Sequence, residues 1–293
     1  MNNVNGILLV LLAMAAFTVE DVFVKQLSAT LHVGQILFGL GVGSSIIFAV
    51  SARLRGQSLL DPIAWRAPTV LRAAAEVVAA IAFATSLSLI DISVVATVFQ
   101  ATPLAITMGA ALFLGEDVGW RRWSAIIVGF LGVLLIIRPG LSAFDVNTLW
   151  IILAVISVAA RDLITRRIDA RVDSTVVSFQ GFFALFFAGP LYLWATGNSM
   201  QPLGPVEWQM MILGILFGAV GYYGIVAAMR IGEASAIMPF RYTRLIFSMI
   251  AGVLVFNERP DAITLCGAAL IICSGLYTFL RERRLARALQ PTA

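Results

Sequence analysis

Ten apolar stretches, each close to the length of a bilayer crossing, leave this chain almost nothing from which to build a water-soluble body. They fall at roughly 6–27, 33–52, 67–89, 92–114, 120–137, 147–165, 174–196, 208–229, 234–256 and 262–280. About 20 apolar residues in a helix cross the hydrocarbon core, and lipid demands that every backbone polar group be paired within the segment. Charged residues make up 12% of the chain and mean hydropathy is +0.95. A soluble domain carries about twice that share of charge. The expected fold class is therefore an all-α membrane protein of ten transmembrane helices. Residues 1–5 hold no Lys or Arg, so the first stretch is expected to stay as a membrane helix rather than leave as a signal peptide.

The sequence pI of about 9.5 comes from where the arginines lie. With a cytoplasmic N-terminus, the inner loops and tail hold Arg53, Arg55, Arg66, Arg121, Arg122, Arg161, Arg166, Arg167, Arg171, Arg230, Arg281, Arg283, Arg284 and Arg287. The outer loops hold only Lys25, Arg138 and Arg259. Cytoplasmic loops of membrane proteins carry such an excess, so both termini are expected in the cytoplasm. The basic balance is a topology signal, and no nucleic-acid partner is expected. Trp65, Trp120, Trp123, Trp150, Trp194 and Trp208 sit at expected helix ends, where indoles favour the headgroup layer. Cys266 and Cys273 lie seven apart in one apolar stretch and read as packing residues; with His32 the only histidine, no metal or cofactor is expected. The partners expected are a lipid bilayer and a small-molecule substrate, and a monomer is compatible with everything in the chain.

The chain also repeats itself. Glu20-Asp21 and Lys25 near the end of the first stretch match Arg161-Asp162 and Arg166 near the end of the sixth, 141 positions on. Asp91, Ser93, Leu112 and Glu116 match Glu233, Ser235, Leu254 and Glu258 at a spacing of 142. Five helices per unit is an odd number, so two copies insert with opposite orientation, the plan of many secondary transporters. The expected division is a first repeat over 1–140, a second, inverted repeat over 141–285, and a cytoplasmic tail over 286–293.

The stretch Pro103 to Pro139, with Gly115-Glu116, Gly129, Gly132 and Arg138-Pro139, has a counterpart from Pro239 through Asn257-Glu258-Arg259-Pro260 to Gly275 and the basic tail. This pattern resembles the EamA-type family of the drug/metabolite transporter superfamily over the whole chain. The resemblance implies a ten-helix carrier of the bacterial inner membrane, often an exporter of amino acids or related metabolites, and not an enzyme. Within the family the chain is most similar to bacterial amino-acid exporters, including those for aromatic amino acids. S-adenosylmethionine carriers share the style of Arg161-Asp162 and Tyr242-Thr243-Arg244.

Ionisable groups inside hydrocarbon cost about 2.5–3.5 kcal/mol each on insertion scales, so they face protein or water and are candidates for function. Arg72 and Glu76 lie four apart on the third stretch, and Arg241 and Arg244 three apart on the ninth. One reading lines a central cavity with them, where arginine's planar fork suits a carboxylate and a glutamate suits an ammonium. The other makes them a buried ion-pair network locking helix three to helix nine. Glu20, whose repeat mate is Arg161, is a cavity candidate, while Asp21 is expected to pair with Lys25. Glu116 and Glu258 end helices and are expected to orient loops. Phe83, Phe99, Gln100, Tyr222, Tyr223 and Tyr242 supply an aromatic and polar second layer. The candidate substrate-binding set is thus Glu20, Glu76, Phe83, Phe99, Gln100, Arg161, Tyr222, Tyr223, Arg241, Tyr242 and Arg244. Gly214, Gly218, Gly221 and Gly224 draw a small-residue stripe that permits close helix contact. An intramembrane enzyme would need a histidine cluster, an acid pair or a nucleotide loop, none of which the sequence offers; a receptor would have no use for the repeat.

Overall fold

The computed structural model describes residues 3–116, 118–139, 144–169, 171–231 and 238–288. Among them the regular structure is entirely helical: α1 Asn3–Leu27, α2 Val33–Leu54, α3 Ala67–Leu89, α4 Ile92–Phe99, α5 Thr102–Phe113, α6 Trp120–Ile137, α7 Thr148–Thr165, α8 Ser174–Ala195, α9 Pro205–Ile231, α10 Thr243–Phe256 and α11 Ala262–Ala288. Short 3-10 turns occupy Pro62–Trp65 and Met238–Tyr242. Ten segments of this set are long and apolar enough to cross a membrane. Their surfaces agree, since Leu8, Leu12, Ile127, Leu131, Leu134 and Ile156 are each at least half exposed to the surroundings. Apolar side chains in such continuous array need lipid as solvent.

Two expected spans differ from single helices. The stretch 92–114 is α4 followed by α5, and the stretch 234–256 is described from residue 238, as a 3-10 turn leading into α10. Glu233 and Ser235, on which part of the repeat match rests, lie outside the described residues.

The chain forms two compact units, each drawing on both halves of the sequence. One comprises Met1–Thr18, Asp91–Val146 and Val220–Ala293, the other Val19–Ile90 and Asn147–Ala219; they are called here the outer-segment unit and the inner-segment unit.

In the inner-segment unit α2 packs on α8 and α3 on α7. The α2–α8 contact is backbone to backbone. A Cβ on Gly34 would stand 2.6 Å from the Gly189 carbonyl oxygen, and one on Gly189 would stand 2.5 Å from that of Gly34. Phe38 and Phe48 of α2 fill the flanking space against Phe186 and Phe182 of α8, with centroids 5.3 and 5.4 Å apart. Lys25 closes the far end of α3, its Nζ donating to the carbonyls of Leu87 and Ile90. A cation suits a helix C-terminus, whose last carbonyls lack partners within the helix.

In the outer-segment unit α6 packs on α11 through Gly132 and Gly267, where a Cβ on either would stand within 2.8 Å of the other's carbonyl oxygen. Such small-residue crossings are how membrane helices gain dispersion contact without a hydrophobic driving force. The stripe on α9 is used in the same way. Gly221 faces Phe17 and Gly224 faces Ala13 in this unit, while Gly218 faces the carboxylate of Glu20 and Gly214 lies by Phe23 in the other.

Candidate functional site

The candidate residues fall into two sets, one in each unit. In the inner-segment unit Glu76 stands on α3 between two guanidinium groups. Arg161 Nη1 lies 2.9 Å from Glu76 Oε1, and Arg72 Nη2 lies 3.1 Å from Glu76 Oε2. Arg161 also meets Asp162 through Nε and Nη2, each at 2.8 Å, and Arg72 Nη1 donates to the Val177 carbonyl of α8 at 3.3 Å. Gly181 of α8 makes room for this, since a Cβ there would come within 3.0 Å of Arg72 Nη1. Two cations and two anions leave the cluster neutral. The Arg72–Glu76 pair is the one the spacing predicts. The network ties helix three to helix six through Arg161 of α7. Proximity of residue 161 to residue 76 depends on how α3 and α7 pack, which no local spacing encodes.

Glu20 and Phe83 belong to this unit too. Glu20 rests on Gly218, Phe83 is half-buried on α3, and Asp21 is buried, 5% exposed. Lys25, expected to pair with Asp21, donates hydrogen bonds to the end of α3.

The second set lies in the outer-segment unit, where two interrupted spans meet. Between α4 and α5 the amides of Gln100 and Ala101 turn tightly onto the carbonyls of Thr97 and Val98. Pro103 has no amide to continue the helical ladder. The hydroxyl of Thr102 takes over, donating to the Phe99 carbonyl at 2.6 Å. In the ninth span the Thr243 hydroxyl donates to the Phe240 carbonyl, also at 2.6 Å. Phe99-x-x-Thr102 and Phe240-x-x-Thr243 stand 141 positions apart, a match that inspection of charged residues alone passes over. Paired interruptions at corresponding places in the two halves point to a binding site in transporter folds.

At this junction Arg244, second residue of α10, sets its guanidinium carbon 5.3 Å from the ring centroid of Phe17 and 5.6 Å from that of Phe99. Such distances are those of cation–π contact. One turn on, Ser248 is fully buried with its hydroxyl 3.4 Å from that of Thr18. Tyr242 packs its phenol against Gly275 of α11. Tyr222 is half-buried, Arg241 is exposed, and Tyr223 is 64% exposed. Phe17 is the member no sequence signal marked, being one of 19 phenylalanines.

Glu258 has the orienting role expected of it. Asn257 ends α10 in the left-handed region at φ 55, and this returns the next side chain to the start of α4. There Glu258 accepts from the amides of Ile92 and Ser93 at 2.7 and 3.0 Å and from the Ser93 hydroxyl.

Comparison with known proteins places this architecture. The model of the EamA-like transporter family matches residues 4–138 and again 147–280. The chain belongs to the EamA-like transporter family. The S-adenosylmethionine uptake transporter of Rickettsia prowazekii is 28% identical to this EamA protein over 286 residues, 96% of this chain and 94% of its own. The pseudopaline exporter CntI of Pseudomonas aeruginosa is 25% identical over 92% of this chain and 93% of its own. The riboflavin transporter of Vibrio cholerae is 29% identical over 64% of this chain and 62% of its own. A solved crystal structure, 18% identical and covering 96% of this chain and 98% of its own, has the same fold with a TM-score of 0.66. This EamA protein is thus a multi-pass transporter of a small metabolite in the bacterial inner membrane.

Proposed function

We propose that the protein carries a metabolite bearing an α-amino acid group, with S-adenosylmethionine the first candidate, by exposing its site alternately to the two sides of the membrane. The observation that carries this reading is Arg244, held by Phe17 and Phe99 where the fourth and ninth spans break. Arginine is the side chain that grips a carboxylate through two parallel hydrogen bonds. The amides of a broken helix add partial positive charge at the same place. The extent of similarity to the Rickettsia S-adenosylmethionine uptake transporter, 96% of this chain, supports that substrate among amino acids.

Glu76 takes a structural part in this proposal. Its carboxylate is already matched by Arg72 and Arg161, and displacing either from a low-dielectric site costs more than a substrate ammonium returns. The aromatic rings support a second reading, export of a plain or aromatic amino acid. Direction is a property of gradients in a carrier, and among the relatives are both an uptake transporter and an exporter. Two inverted repeats, 1–140 and 141–285, with both termini cytoplasmic, are the proposed topology.

The test is flux in proteoliposomes with labelled S-adenosylmethionine and a panel of amino acids, comparing the unaltered protein with Arg244→Ala and Arg244→Lys. Loss of a charged hydrogen-bonding partner is expected to lower flux of the carried compound roughly tenfold or more in Arg244→Ala. Arg244→Lys keeps the charge and is expected to fall between. Equal flux in all three proteins would remove Arg244 from the site.

A further inference from the structure

Phe17 and Phe99 together form a site for a cation, and Arg244 occupies it. We propose that during transport the substrate's own fixed cation takes these two rings in place of Arg244, so that the protein selects carboxylates carrying a sulfonium or quaternary ammonium group. The inference rests on the amino-acid carrier reading and narrows it to that substrate class.

The face of a phenylalanine attracts cations, most strongly those that are weakly hydrated. A sulfonium or quaternary ammonium has no N–H to lose to water and cannot shed its charge by deprotonation, so it gains most from such faces. Both rings here lie within 5.6 Å of one cationic carbon, and both are partly exposed within their unit, as is the Arg244 side chain. They come from different helices, Phe17 from α1 and Phe99 from the last position of α4. Neither is therefore held against Arg244 by a shared backbone.

The exchange gives both the carboxylate and the fixed cation a partner. An entering carboxylate offers Arg244 two hydrogen bonds that a phenyl ring does not, and draws the guanidinium away from the rings. In S-adenosylmethionine the sulfonium is separated from the α-carbon by two methylenes, so it follows within reach of the vacated faces. The rings face one positive charge before and after, and the carboxylate is neutralised by Arg244. A thioether with the same carboxylate would pull Arg244 out and bring no fixed cation at sulfur to the rings. Thr18, next to Phe17, and Ser248, one turn on from Arg244, are buried with their hydroxyls 3.4 Å apart and bring no charge of their own.

The test compares S-adenosylmethionine with S-adenosylhomocysteine, which lacks only the methyl group and its charge, and glycine betaine with N,N-dimethylglycine. Each is offered as competitor against the carried amino acid in proteoliposomes. The member of each pair that bears the sulfonium or the quaternary ammonium is expected to compete better by roughly threefold to thirtyfold, the range cation–π contact supplies. Phe17→Leu with Phe99→Leu is expected to bring that ratio towards one, and Phe99→Tyr to keep it. If the leucine pair fails to fold, Phe99→Leu alone is read by the shift in thermal midpoint on adding each compound. A ratio of one in the unaltered protein, or one that survives the leucine changes, overturns this inference while amino-acid flux sustains the broader reading. Absence of flux for every amino-acid compound overturns both.

Discussion

The carboxylate of Glu258 caps the helix that begins at Ile92, accepting from the amides of Ile92 and Ser93 while buried at 7% exposure. These two donors lie in the first turn of α4, where no intrahelical partner exists. A negative charge is also favoured at that end of the helix. Because Phe99 is the last residue of α4, the cap at one end fixes the ring at the other.

Glu258→Ala leaves two buried amides unsatisfied. It is expected to cost about 2–4 kcal/mol, read as a lowered thermal midpoint in detergent. Glu258→Gln keeps one carbonyl acceptor and is expected to cost about half as much. If both variants melt with the unaltered protein, the cap is not what holds α4.

Glu76 and Arg161 join α3 to α7 at 2.9 Å with side chains about a quarter exposed. Breaking a buried pair costs 3–5 kcal/mol, less where solvent reaches it. Glu76→Gln and Arg161→Gln are each expected to cost about 2–3 kcal/mol, and the double variant less than their sum. A double-mutant cycle in thermal unfolding measures the coupling; additive losses would mean the pair does not interact.

Gly189→Ala is expected to lower stability by about 1–3 kcal/mol. The new methyl group meets the Gly34 carbonyl and the Phe38 amide, which are backbone and cannot rotate aside. Gly197→Ala, at a φ of 70 with open space around it, should cost about 1 kcal/mol through backbone strain alone. Larger loss at position 197 than at 189 in a thermal scan contradicts the packing account.

Asp261 accepts from Arg138 and from the Thr264 amide at the start of α11. Those hydrogen bonds hold its carboxyl well below the usual carboxylate range. With a folded pKa below the unfolded one, its stabilisation is complete above about pH 4 and fades as pH falls through the folded value. Asp261→Asn is expected to lower the thermal midpoint at neutral pH and to reduce its fall on acidification. A midpoint curve parallel to that of the unaltered protein down to acid pH would contradict this.

Topology is tested in a background with Cys266→Ala and Cys273→Ala. Single cysteines placed at Asn5 and Gln57 are expected to resist a membrane-impermeant thiol reagent in intact cells, and one placed at Asn198 to react. Reaction at Asn5 from outside reverses the proposed orientation.

Much of this molecule was legible in one dimension because the bilayer reads the chain as a local average. Span length and the tryptophans at Trp120, Trp194 and Trp208 are properties of short windows, and hydrocarbon permits only helices there. The Arg72–Glu76 pair was likewise legible, being four residues apart on one helix. Tertiary structure alone brought Arg161 to Glu76, Phe17 to Arg244 and Glu258 to Ser93. These pairs are separated by 85, 227 and 165 positions, and their meeting depends on glycine crossings, helix interruptions and caps. Periodicity tells which face of a helix is apolar; it carries no information on which neighbour that face will meet.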